Sequence, residues 1–172
     1  MKLTVLGIGN ILMRDDGVGV RLMEAVRDSR DWGGDQVEFV DGGAGGLGLM
    51  PIIESARRLL VLDAADMGLE AGEVRTIAPE QVANSSEGRI SLHDAPFIET
   101  WRLCRQFFTA PPATLLAIQA ADVNYGRDLS PALAGRMTDL TRTAREIVEA
   151  MLAEPERLAQ PSPPDADTRT DP

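Results

Sequence analysis

Four apolar runs of strand length punctuate this chain: Lys2–Gly7 (KLTVLG), Gln36–Asp41 (QVEFVD), Arg58–Asp63 (RLLVLD) and Ala113–Gln119 (ATLLAIQ). Each is too short for a helix and is bounded by turn-forming or polar residues, the pattern of buried strands. Between them lie stretches with helical spacing. Val18, Leu22 and Val26 share one face of a helix expected from about Asp16 to Asp28, with Asp15 and Asp16 at its positive end. A short helix is expected to finish near Ser55, and another to run from about His93 to Phe108 with Phe97, Trp101, Cys104 and Phe108 on one face. Ser130-Pro131 places a cap and a first-turn proline at the start of a last helix, whose apolar face runs from Leu133 to Met151. Glu73–Ile77 reads as a weaker, edge-like strand. Strands alternating with helices predict an α/β fold: an open, twisted, largely parallel sheet of about five strands with helices on both faces.

The chain has 172 residues, a length that suits one domain. That domain is expected over 1–153. From Glu154 the composition changes: Pro161, Pro163, Pro164 and Pro172 are mixed with Asp, Thr and Ser, so 154–172 is expected to be a disordered tail. No internal repeat is visible.

The formal charge is −10, and Lys2 is the only lysine. No basic run exists to neutralise phosphates, which argues against nucleic acid and against acidic lipid as partners. The N-terminus reads as a strand and a turn, with no long apolar region or small-residue cleavage site, and no run approaches the roughly 18 residues of a membrane span. A single cysteine, Cys104, rules out an internal disulfide and a multi-cysteine metal site, in keeping with a cytoplasmic protein. The single histidine, His93, is the only imidazole available to any site.

In open parallel sheets, ligands bind beyond the carboxyl ends of the strands. After the first strand comes Gly7-Ile8-Gly9-Asn10-Ile11-Leu12, then Asp15-Asp16-Gly17-Val18-Gly19. A dinucleotide fingerprint would need glycine or alanine at position 12, where leucine stands. An acidic helix cap explains one of the two acids and leaves the glycines and Asn10 over. Asp41-Gly42-Gly43-Ala44-Gly45-Gly46 comes after the second strand; a backbone that approaches a ligand and a plain turn with Asp41 on its own amides fit it equally well. Asp63 ends the third strand, either facing a ligand or capping the next segment. His93 falls in a first helical turn if Ser91 and Asp94 form a capping box, and there the helix dipole favours the neutral imidazole. Two carboxylates and one imidazole suit a borderline divalent cation with open positions and make a poor tight zinc site. A weak, open site implies that another molecule supplies the metal or the remaining ligands. Other nucleophiles do worse. No G-x-S-x-G occurs, and Cys104 would lie about 16 Å from His93 along one helix at 1.5 Å per residue. A pair of catalytic aspartates would require Asp16 and Asp63 to be adjacent, which no spacing shows.

Taken together, the stretches Leu6–Leu12, Asp15–Gly19, Asp41–Gly46, Leu62–Ala64, Ser91–His93 and Gly126–Pro131 resemble the hydrogenase maturation endopeptidases in order and spacing. The resemblance implies a twisted sheet flanked by helices, and cleavage of a C-terminal extension from the large-subunit precursor of a nickel–iron hydrogenase. It puts the metal-contacting and catalytic positions on Asp16, Asp63 and His93, with nickel presented by the precursor. The glycine loop, Asp41, Gly42, Gly43 and Gly45, would then admit the precursor's backbone. Three features depart from the commonest family pattern: Asp16 in place of glutamate, Ala120 after Gln119 in place of proline, and Asp94-Ala95-Pro96 after His93. The expected protein is a monomer. Two other readings use the same residues differently: a non-catalytic module that senses nickel insertion without cutting, and a nucleotide-binding domain, against which Leu12 stands.

Overall fold

The computed structural model describes residues 2–79 and 96–153. The strands are β1 (Leu3–Gly7), β2 (Val37–Asp41), β3 (Arg58–Ala65), β4 (Val74–Ile77) and β5 (Ala113–Gln119). The helices are α1 (Val18–Asp28), α2 (Met50–Ser55), α3 (Pro96–Phe107), α4 (Pro131–Ala134) and α5 (Met137–Ala153), with 3-10 turns at Arg14–Gly17 and Gly46–Leu49. The sheet order is β2-β1-β3-β5-β4. All pairs are parallel except β4, which runs against β5.

The burial pattern explains this order. β3 is apolar and buried almost throughout, as a central parallel strand covered on both faces must be. Its side chains alternate between two cores. Leu59 and Val61 join Leu6, Phe97, Trp101 and Cys104 under α2 and α3. Leu60 and Leu62 join Val5, Leu22, Val26 and Val148 under α1 and α5. β4 exposes Arg75 and Thr76, which an edge strand tolerates. The fold class read from the sequence is the one observed. No helix among the described residues is long and apolar enough to cross a membrane.

Two local expectations change. α1 starts at Val18, after a separate 3-10 turn, and its first turn holds no acidic residue and no side-chain cap. The acids therefore do not cap α1. The last helix is divided: α4 closes at Gly135 and α5 starts at Met137, although Ser130 caps α4 as expected, its Oγ accepting from the Leu133 amide at 3.2 Å. The capping box at Ser91 and Asp94, and the tail 154–172, lie outside the described residues.

The glycines of the first turn serve close packing. A Cβ on Gly19 would stand 2.1 Å from the Leu62 carbonyl oxygen and 2.3 Å from that of Ile8. Gly9 has φ of 134°, and a Cβ there would stand 1.8 Å from the Asp16 carbonyl oxygen. Bare backbone at these points lets the 3-10 turn and the start of α1 lie directly on the ends of β1 and β3. Gly19→Ala meets two backbone oxygens that cannot rotate away. Urea unfolding is expected to show a loss of about 3 kcal/mol, the upper range for overpacking.

Candidate active site at the strand carboxyl ends

The ladder between β1 and β3 ends at Gly7 and Leu62, so Asp63 stands one residue beyond the β1 pairing. It remains in register with Ala117 of β5 and is only 7% exposed. Burial, followed by the negative charge of Asp16, pushes its carboxyl from the usual 3.8 up to about 7; a hydrogen bond from the Ala64 backbone acts in the opposite direction. Asp16, in the 3-10 turn, is half-buried. Its Oδ2 accepts from the Asn10 amide at 2.7 Å, while Asn10 Oδ1 accepts from the Leu12 amide at 3.0 Å. Asn10 thus shapes the loop that aims Asp16. The two carboxylates singled out from the sequence meet at one sheet edge, close enough for the charge of one to be felt by the other.

A like-charged pair with one member buried calls for a proton or a cation. Arg14, the nearest basic residue in sequence, is turned to Asp122, Nε to Oδ2 3.3 Å. Among the described residues no three His, Cys, Asp or Glu side chains cluster, so these residues offer two oxygen donors from two aspartates. His93 lies outside them. The first described helix after it, α3, begins at Pro96, three residues beyond His93.

The glycine loop is held by the first turn. The Gly43 carbonyl accepts from the Gly9 amide at 2.8 Å, and the Gly42 amide donates to the Gly7 carbonyl at 2.9 Å. Gly42 packs on Leu6 and Leu49, whereas Gly43 and Gly45 take φ of 53° and 79°. Asp41 is exposed, and its Oδ1 accepts from the Gly43 amide at 2.8 Å, the turn bond weighed from the sequence. Cys104 is fully buried in the α3 core and its thiol is pushed up by that burial, which removes it as a nucleophile.

Asp15 is the residue the sequence reading misplaced. It is fully buried. Its Oδ1 accepts from the Ser130 amide at 2.7 Å. Its Oδ2 accepts from Ser130 Oγ at 2.8 Å and from the amides of Ala121 and Asp122 at 2.9 and 3.0 Å. It clamps the loop between β5 and α4 to the turn that carries Asp16. No local pattern could reveal partners more than a hundred residues away. The one signal was a second acid that a single helix cap left unexplained.

Residues 20–149 match the family profile described as HycI, hydrogenase maturation protease. The chain belongs to the hydrogenase maturation protease family. Asp63 lies inside the matched span and Asp16 just before it. The family places the chain among the endopeptidases of hydrogenase maturation. The sequence is 33% identical over 167 residues to the hydrogenase expression/formation protein HupD of Rhizobium leguminosarum bv. viciae, covering 93% of this chain and 82% of that protein. It is 34% identical over 139 residues to HupD of Rhodobacter capsulatus, covering 79% of this chain but 66% of that protein, just under two thirds. The fold is similar to the solution structure of an endopeptidase from Escherichia coli, with a TM-score of 0.72, 25% identity, and 91% and 94% of the two chains covered. In this maturation protease the glycines of the first turn, Gly7, Gly9, Gly17 and Gly19, are sites of close backbone packing.

Proposed function

We propose that this chain removes the C-terminal extension of a nickel–iron hydrogenase large-subunit precursor after nickel insertion, acting as a monomer in the cytoplasm and sensing the metal through Asp16, Asp63 and His93. The observation that carries this reading is the Asp16–Asp63 pair, two acids of like charge at the ligand edge of the sheet, one of them raised to about 7. Oxygen donors with a deficit of positive charge fit a divalent cation brought by a substrate. His93, three residues before α3, would supply the nitrogen donor as the chain's one imidazole. A cation held there would polarise the scissile carbonyl or an attacking water.

The chain's own residues supply the proton chemistry. A carboxyl that titrates near neutral pH can take a proton from an attacking water and return it to the leaving amine. Asp63 fits that role, while Asp16 is fixed beside it by the Asn10 amide. The Asp41–Gly45 loop, extended from the same turn, lines the approach for the precursor's backbone.

The experiment is processing of nickel-loaded precursor, followed as release of the C-terminal fragment by mass. Wild type is expected to release it. Asp16→Asn and His93→Ala are expected to lower the rate by at least about tenfold. Full activity in both variants, and in Asp63→Asn, would overturn the site. Binding without any fragment would instead identify a checkpoint that senses nickel and does not cut.

A further inference from the structure

The large apolar side chains that the described residues leave exposed are unevenly placed. They are Ile11, Leu12, Leu47, Phe107, Val123 and Tyr125, and all but Phe107 lie in the segments that follow strand carboxyl ends, Leu47 in a 3-10 turn and the others in loops. Val123 and Tyr125, 52% and 77% exposed, occupy the loop between β5 and α4. That loop is joined to the first turn by backbone. The Gly126 amide donates to the Leu12 carbonyl and the Arg14 amide to the Gly126 carbonyl, each at 2.8 Å. Met13 and Gly126 form a parallel bridge.

The loop is also fixed from within. Asp15 accepts its four hydrogen bonds from Ala121, Asp122 and Ser130. Asp122 Oδ1 accepts from the amide and side-chain nitrogen of Asn124 at 2.9 and 2.8 Å, and Oδ2 faces Arg14. A surface loop that needed only to connect β5 with α4 would not need a buried carboxylate to hold it. Rigid backbone under exposed apolar side chains is the arrangement that lowers the ordering cost of binding.

We propose that Val123 and Tyr125, together with Ile11 and Leu12, form a preformed docking surface for an apolar stretch of the precursor polypeptide. The inference rests on the reading that Asp16 and Asp63 are the cleavage site. Continuity identifies the occupant. Asp15 and Asp16 are neighbours in one 3-10 turn, and the backbone bonds at Gly126 extend that turn directly into the apolar loop. A polypeptide seated at Asp16 has this surface as its immediate neighbour, and a flat tyrosine is a strong anchor for such contacts.

The test uses the full chain and nickel-loaded precursor, with two readouts. Val123→Ser/Tyr125→Ser is compared with wild type for cleavage, and the same double change is compared on an Asp63→Asn background for binding. Phe107→Ser, an equally exposed apolar change elsewhere, is the control. KM and Kd are expected to rise about tenfold or more in the loop variant, with kcat and the thermal midpoint unchanged and the control silent. Unchanged KM and Kd would overturn the docking surface, even if cleavage by wild type upholds the site. Absence of cleavage by wild type, with weakened binding by the loop variant, would overturn the proposed activity and leave the surface standing. A loop variant that changes only the sedimentation behaviour of the protease alone would identify a contact between copies and reject the precursor as occupant.

Discussion

Asp63→Asn is expected to lower precursor processing below about one-hundredth of wild type and, in the same protein without metal, to raise stability at neutral pH. Both effects come from one carboxyl. In the folded chain it titrates at about 7 against an ordinary 3.8, because burial and the Asp16 charge oppose its ionisation. Below the ordinary value, folded and unfolded chains both hold the proton, and the group is neutral in its effect. Between the two values only the folded chain holds it, so stability falls as pH rises. Above about 7 both forms are ionised and the folded state carries the whole penalty, about 4 kcal/mol at 1.36 kcal/mol per pH unit. Asparagine has the same shape, never ionises, and can still accept from the Ala64 backbone. The stability gap between variant and wild type should therefore be near zero around pH 4 and widen to a few kcal/mol by about pH 8, read from urea midpoints. Asp16→Asn should close part of the gap, since it removes the second cause of the shift and leaves the burial. A variant less stable than wild type at pH 8 would contradict this account. Stability gained by losing activity is the expected trade at a functional site.

The sheet was legible because its signal is local. Runs such as Arg58–Asp63 are short, apolar and bounded, and β3 lies where they place it, at the centre of the sheet. The weak, polar Glu73–Ile77 stretch announced an edge and became one, although nothing local set its direction against β5. Asp16 and Asp63 were legible as strand-end acids, since the carboxyl edge of a parallel sheet gathers such residues whatever the strand order. The division of the last helix was not legible. Ser130-Pro131 marks a start, and the apolar spacing continues through Gly135, so no pattern separates α4 from α5. The first-turn glycines were left without a role once Leu12 had removed the dinucleotide fingerprint; Gly9 and Gly19 give room to the chain's own carbonyls at Asp16, Ile8 and Leu62. Asp15 was the largest miss because its role is set by donors that become neighbours only once β5 is in the sheet.

Asp15→Ala is accordingly expected to cost about 5 kcal/mol, more than an ordinary buried contact. The side chain is wholly buried and receives the amides of Ala121, Asp122 and Ser130 and the Ser130 hydroxyl. Alanine removes the acceptor and leaves three backbone N–H groups without it. Each unsatisfied buried donor costs roughly 1–3 kcal/mol. Asp15→Asn keeps the shape but turns one acceptor oxygen into an NH2 group that faces donors. It should recover little, which separates a role in accepting hydrogen bonds from one in filling volume. Ser130→Ala removes one of the four bonds and the α4 cap while sparing the carboxylate, and should cost about 1–2 kcal/mol. The ordering to be found by urea unfolding is Ala worst, Asn close behind and Ser130→Ala mild. Hydrogen exchange gives the spatial test. The Ala121 and Asp122 amides should lose protection in Ser130→Ala before the β3 amides do, because the loop clamp opens without the central sheet. Equal loss across loop and sheet would mean that Asp15 supports the whole fold, and that the β5–α4 loop has no separate hold on the turn carrying Asp16.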